Sequence, residues 1–514
     1  MNKQHIRITI MKNLKLFFTI TVLIYCAKLF SQESIVFDKQ YLFDGRNNYI
    51  KDFKQTPDGG FICGGSIGFE MFDERFLLFK TDSLGVVEWY KYQDSVSVNS
   101  DLWAVDITKT GNYVGFGVTQ ENPDWHQSGA IVIYNETGDT LWSKQYAFAS
   151  PDDSNVKSKV TFSDGIYTKN NELVAVGCIN EDERGTNPLV VKTNLNGDTI
   201  WTWRLYDTNN IIALRAIAET TDGNFVAVGI AEDSVFINTR EYSRRRGIIV
   251  KLNSEGELQQ FYEWTDLPDC GFECFTIDNF GNYLIGGFNY KHWPDVEDSE
   301  YYGLIIKTDT LGNTIWKRNV DYAVDISCLD IDCNAQNEII CLNSIEPPFS
   351  ENWKMDAILE KYSSQGELVW SKIIGEQTVI NWPYAVITTN DDGFAFCGLY
   401  SIANDHNYSW VVKTDSLGYG NYQQGWINFI SKINKDLAVN IYPNPVSEIV
   451  TIETLQSDEN FDMWVYDLAG RNIMGFYNIS EIKTFSVKDL RNGIYIIKIK
   501  SNDRVYTSKL SIKH

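Results

Sequence analysis

The chain has 514 residues, 43% of them hydrophobic and 14% aromatic, with 15 Trp and 28 Tyr; that excludes disorder as the default and favours strands. Its 45 Lys+Arg against 68 Asp+Glu leave a net charge of −23, which excludes a nucleic-acid backbone or an anionic membrane surface as the main partner. The length allows two or more domains, or one repeat array plus an extra module.

At the N-terminus, Lys12 and Lys15 precede the apolar run 16–26 and a small-residue exit at Ser31. This order is that of a signal peptide, expected over residues 1–31, with Met11 a better start than Met1. A lipoprotein signal acylated at Cys26 is the alternative, weakened by bulky Tyr25 just before it. No later segment reaches the roughly 20 apolar residues of a membrane-spanning helix.

The next 390 or so residues repeat, by the order-of-magnitude spacing of propeller units. One half-unit is a polar turn followed by an apolar run, as in Thr56-Pro-Asp-Gly-Gly-Phe61, Thr110-Gly-Asn-Tyr113, Asn170-Asn-Glu-Leu173, Thr221-Asp-Gly-Asn-Phe225, Phe280-Gly-Asn-Tyr283, Gln336-Asn-Glu-Ile339 and Asp391-Asp-Gly-Phe394. Asp-Gly and Gly-Asn between apolar runs are hairpin turns, because they tolerate positive φ. The other half-unit turns on Gly85, Gly138, Gly197, Gly256, Gly312, Gly366 and Gly418, spaced 52 to 59 residues apart. Trp89, Trp142, Trp201, Trp316 and Trp370 each follow their glycine by four residues, while Phe261 comes one position late after Gly256. Two hairpins per unit make four strands, and four-stranded units of this size are propeller blades. The expected body is a seven-bladed β-propeller over residues 32–420, with residues 34–43 completing the last blade and hiding its edge. Tyr422 starting its own outer strand is the alternative.

The segment Asn135-Glu-Thr-Gly-Asp-Thr-Leu-Trp142 resembles the tryptophan-docking repeat of quinoprotein-like, kelch-like propellers. The resemblance implies that these tryptophans dock blades together. Some members bind a quinone cofactor, often beside adjacent cysteines; no Cys-Cys pair occurs here, and no cofactor is expected.

Residues 421–435 read as a linker. Beyond it, short alternating strands with Pro, Asn and Gly turns indicate a small immunoglobulin-like β-sandwich over 436–514. Its Pro443-Asn444-Pro445, the Tyr-Asp-x-x-Gly470-Arg turn, the Leu-x-x-Gly493-x-Tyr495 strand and the closing Lys509 strand resemble the type A C-terminal sorting domain of the type IX secretion system. The resemblance implies the secretion machinery as partner, passage across the outer membrane, and a secreted or surface location.

Chemistry is sparse. Eight cysteines follow the signal. Cys63, Cys341 and Cys397 lie in apolar strands and read as small buried hydrophobes, whereas Cys270/Cys274 and Cys328/Cys333 are the expected bridges. Neither spacing suits a zinc site and no His pair completes one, so no metal is expected. No hydrolase elbow, zinc-protease motif or phosphate loop is present.

One asymmetry bears on function. Turns within the hairpins are tight, whereas the connections at the opposite rim are long, and long loops on a rigid scaffold carry function. These loops hold Trp125, His126, His292, Trp293 and Trp353, and the fourth unit adds the basic run Arg244, Arg245 and Arg246. Some of these aromatics are expected simply to cap the core. The absence of a catalytic motif favours a monomeric protein binding a glycan or a protein through this rim; a polysaccharide hydrolase or lyase is the alternative.

Overall fold

A computed structural model describes residues 35–68, 74–93, 98–121, 126–148, 158–180, 185–205, 211–237, 240–267, 269–290, 301–320, 326–345, 355–375, 379–402, 405–422, 439–443, 446–454, 461–466, 471–479, 482–501 and 504–514. The proposed signal peptide and nearly all of the proposed linker lie outside these residues. Every regular element among them is a strand.

Residues 37–414 form seven antiparallel four-stranded sheets. Their innermost strands, in order, are Asn47–Gln55, Val98–Ile107, Lys159–Tyr167, Ile211–Glu219, Cys270–Ile277, Ile326–Cys333 and Val379–Thr388. Each innermost strand neighbours the next, and the seventh neighbours the first. The body is therefore an all-β propeller.

Six sheets take their four strands consecutively. The seventh takes three, and Phe37–Tyr41 from the far end of the chain pairs with Asn407–Thr414 as its fourth. Tyr422 starts no strand; it is buried in the core of that same sheet. The first and seventh sheets also meet directly, where Asn48 Oδ1 accepts the Ser409 N–H at 3.1 Å and Gln55 Oε1 accepts the Asn390 N–H at 2.8 Å.

Burial alternates along the inner strands, whereas middle strands such as Phe61–Gly68 are buried on both faces, and the apolar side chains pack between consecutive sheets. Phe116 and Ile131 of the second sheet, for instance, share one core with Phe162, Leu173 and Val191 of the third. Burying a phenylalanine such as Phe162 fully is worth about 1.5–3 kcal/mol, so each interface is held chiefly by this apolar contact.

At the outer rim each turn glycine is covered by the sheet before it. A Cβ on Gly197, whose φ is +75°, would lie 2.9 Å from the Trp142 ring, and one on Gly256 would lie 2.6 Å from Trp201. Only glycine fits a left-handed turn under an indole. The indole N–H groups of Trp142, Trp201 and Trp316 donate to Leu195 O, Ser254 O and Ser364 O at 3.0 to 3.2 Å. In the fourth sheet Gln260, not Phe261, takes this place, donating to Leu311 O at 3.3 Å. Phe37 lies over Gly85 in the same manner, while the Tyr41 hydroxyl donates to Gly85 O at 2.9 Å.

The expected cysteine bridges are not formed. All eight described cysteines are free thiols, and Cys274 faces Cys328 across a sheet boundary instead of Cys270. Cys270 and Cys274 both sit on one extended strand, which holds such side chains apart. Cys63, Cys341 and Cys397 are fully buried among apolar neighbours.

The C-terminal segment forms two antiparallel sheets. One holds Val439–Tyr442, Ile449–Thr454 and Ile482–Ser486, the other Asn472–Ile479, Phe461–Tyr466, Gly493–Ser501 and Arg504–Ile512. Val450, Ile452, Met463, Val465, Ile497, Ile499 and Leu510 fill a single core between them.

Candidate functional site

The inner strand of every sheet breaks register at one point, passing over Lys51, Trp103, Ser163, Arg215, Glu273, Leu329 and Tyr384 in turn. A bulge of this kind re-aims a side chain without breaking the sheet. All seven re-aimed residues line one central cavity of about 350 Å³. Each lies eight residues before the positive-φ residue of the following turn: Gly59, Gly111, Asn171, Gly223, Gly281, Asn337 and Asp392.

On one side the Lys51 ammonium sits 3.7 Å from the centre of the Trp103 ring and pairs with Asp101. The Tyr49 hydroxyl donates to Glu74 Oε2 at 3.2 Å and lies 3.5 Å from Asp101 Oδ2. Burial, then the Asp101 charge, hold the Glu74 carboxyl above its usual range. Burial also raises Asp101, against the pull of Lys51. Tyr384 stands 6.5 Å from both Tyr49 and Trp382, and Trp382 is 40% exposed. From the fourth and fifth sheets, Arg215 Nε lies 3.5 Å from Glu273 Oε2, and burial raises the Glu273 carboxyl. The buried Trp103 indole N–H has no hydrogen-bond partner among the described residues. Lys51, Trp103, Arg215, Glu273 and Tyr384 thus line one pocket, an arrangement of aromatic and charged groups suited to a ring-shaped polar ligand.

Deeper in the channel, carboxylates tie the sheets together. Asp52 accepts the Val105 N–H at 2.8 Å, Asp106 the Tyr167 N–H at 2.7 Å and Asp164 the Ile217 N–H at 2.9 Å. Asp330 and Asp332 reach Val386 and Thr388 at 2.7 and 2.8 Å. In each case the other carboxylate oxygen accepts the N–H of the next residue in its own strand. Lys54 contacts Asp52 at 3.0 Å; burial pulls its ammonium down, but Asp52, Asp106 and Asp164 outweigh that and raise it. Among the described residues no group of three or more His, Cys, Asp or Glu side chains could hold a metal ion.

Of the aromatic and histidine rim residues expected from sequence, only His126 is among the described residues. Trp125, His292, Trp293 and Trp353 lie outside the described residues. His126 is the first residue of the strand His126–Tyr134, and its Nε2 has no partner among the described residues. The basic run does not lie in a loop. It belongs to Arg240–Leu252, which forms a long hairpin with Phe225–Ile237. Arg244 pairs with Asp233 at 2.7 Å, Arg245 with Asp269 at 3.1 Å, and Arg246 with both Asp233 and Glu263 at 2.8 Å. Arg245 also lies 4.7 Å from the centre of the Phe288 ring. Cross-strand register sets Asp233 opposite Arg244, while Asp269 and Glu263, from outside this hairpin, meet the other two cations.

In the tail, Gly493 opens a strand that pairs with Arg504–Ile512, setting Ile496 opposite Lys509. The Tyr495 hydroxyl donates to Arg491 O at 3.1 Å, and Pro443 is exposed. Asn444, Pro445 and Gly470 lie outside the described residues.

Residues 440–513 match the family described as the secretion system C-terminal sorting domain. That tail supports secretion through the type IX system, with the secretion machinery as partner and an outer-surface or extracellular location. No curated protein matches the chain. Among solved structures, an ulvan lyase of polysaccharide lyase family 25, bound to a glucuronate–sulfated rhamnose fragment, is 11% identical with a TM-score of 0.46, over 73% of this chain and 96% of that one. The WD40 domain of Neurospora crassa Pan2 is 9% identical with a TM-score of 0.41, over 74% and 100%. The first two extracellular domains of Drosophila Semaphorin 1a are 9% identical with a TM-score of 0.39, over 75% and 88%.

Proposed function

We propose that this is an exported, seven-bladed propeller that binds a glycan at the mouth of its central channel, carried out of the cell by an immunoglobulin-like sorting domain after a cleaved signal peptide. The observation that carries this reading is the ring of seven bulged residues around one cavity. It offers Trp103 and Tyr384 as stacking faces, with the Lys51–Asp101 and Arg215–Glu273 pairs as hydrogen-bonding groups. Sugar rings suit such a site because their faces are apolar and their edges carry hydroxyls. The long-loop rim, with Trp125, His126, His292, Trp293 and Trp353, extends the binding surface in this proposal. The protein acts as a monomer.

A polysaccharide hydrolase or lyase is the second reading, favoured by Glu74 and Asp101, two raised carboxyls beside one tyrosine hydroxyl. A glycan array with the mature protein, read beside polysaccharide turnover, separates the two. Binding without turnover that is lost in Trp103→Ala supports the first reading, and turnover lost in Glu74→Gln supports the second. An array with no hit overturns the glycan reading.

A further inference from the structure

We propose that Cys274 and Cys328 form a disulfide in the exported protein, a covalent clasp between the fifth and sixth sheets. The residue just after the bulge is Asp52, Asp164 and Asp330 in the first, third and sixth sheets, and each reaches across to the backbone of the next sheet. In the fifth sheet the same position holds Cys274. Its thiol reaches in the same direction, 3.7 Å from Cys328 O and 4.0 Å from Cys328 Sγ. The cysteine thus occupies the place of a carboxylate clasp, and its partner is a second cysteine.

Both sulfurs pack over Gly286, where any Cβ would overlap them. A disulfide needs its sulfurs about 2.05 Å apart, so the two sulfurs must close from 4.0 Å for the bond to form. Neither sequence neighbour competes: Cys270 lies four residues along the same extended strand, and Cys333 Sγ instead faces Ile277 O at 3.8 Å. Cys341 is the one rival, because it also contacts the Cys328 thiol.

Export supplies the chemical setting, since disulfides persist outside the cytoplasm. The two thiols lose two protons and two electrons as the S–S bond forms. A disulfide donor of the cell envelope, protein or small molecule, accepts both and leaves as a dithiol. Both thiols are buried in the folded sheets, so the bond forms as the exported chain folds.

The test is peptide mapping of the full-length protein recovered after export, alkylated while denatured and without reduction. The expected result is a linked Cys274–Cys328 peptide with the remaining cysteines alkylated, and a Tm lowered by about 5 °C on reduction. Cys274→Ser and Cys328→Ser should each abolish the reductant sensitivity, while Cys341→Ser keeps it. Full alkylation of Cys274 and Cys328 before reduction, or a link to Cys341, overturns the proposal; because mapping uses the unmutated chain, a variant that fails to fold does not shield it.

Discussion

The Asp164 carboxylate accepts the backbone N–H of Ile217, 53 residues away, at 2.9 Å across a sheet boundary. A backbone donor at an inner edge would otherwise go unpaired, because no further strand lies inside the ring, and an unmet buried donor costs about 1–3 kcal/mol. Anchoring that donor requires a carboxyl in the channel wall. Burial then pushes Asp164 up to about 7 and raises Asp106, Asp330 and Asp332 as well.

The raised Asp164 predicts a pH dependence. A carboxyl with a higher pKa folded than unfolded binds its proton more tightly in the native state, so its contribution is full below the ordinary aspartate pKa and is lost as pH rises toward about 7. Asp164→Asn cannot titrate. The Tm advantage of the unmutated protein over this variant should therefore shrink between pH 5 and pH 8 in thermal melts. A constant difference would show that Asp164 does not titrate in this window.

Lys54 should behave in the opposite sense. Its ammonium is attracted by Asp52, Asp106 and Asp164, and that attraction grows as the raised Asp106 and Asp164 ionise. Lys54→Met should lower the Tm at both pH values and by more at pH 8 than at pH 5. An equal loss at both would mean that the methylene stem, not the charge, is what matters.

Docking of Trp142 over Gly197 gives a pair of stability predictions. Trp142 is half-buried, so Trp142→Ala should cost about 2–3 kcal/mol, below the range for a fully buried indole. Gly197→Ala should cost about 1–2 kcal/mol for the left-handed backbone alone, and more because the new methyl meets the Trp142 ring. In the double mutant the ring is absent, so denaturant titration should show a loss smaller than the sum of the two. Strict additivity would mean that the contact carries no energy.

Deleting residues 436–514 should leave a folded propeller retained behind the outer membrane, because the tail has its own core. Fractionation with a folding probe such as a protease ladder checks this. Normal amounts of the truncated chain outside the cell would show that export does not depend on the tail.

The repeat, its two hairpins, the docking tryptophans and the sorting motifs were legible in the sequence because each rests on local physics. Left-handed turns favour Gly, Asn or Asp at a fixed place, strands alternate with period two, and an indole four residues past a turn recurs with the unit. The channel site carried a subtler signal. Aligning the repeats on their turns places Lys51, Trp103, Ser163, Arg215, Glu273, Leu329 and Tyr384 in one column, eight residues upstream, but nothing local marks that column as inward-facing. A bulge is decided by how each inner strand pairs with its neighbour and by what the next sheet offers, and the partners in the next sheet lie fifty or more residues away. The same reason explains Arg244 to Arg246: the run reads as free positive charge until strand register sets Asp233 beside it. It also explains Cys274, whose neighbour in space is Cys328 and not the nearer cysteine in the chain. Local backbone preference determined the unit, and packing one unit against the next decided which side chains meet.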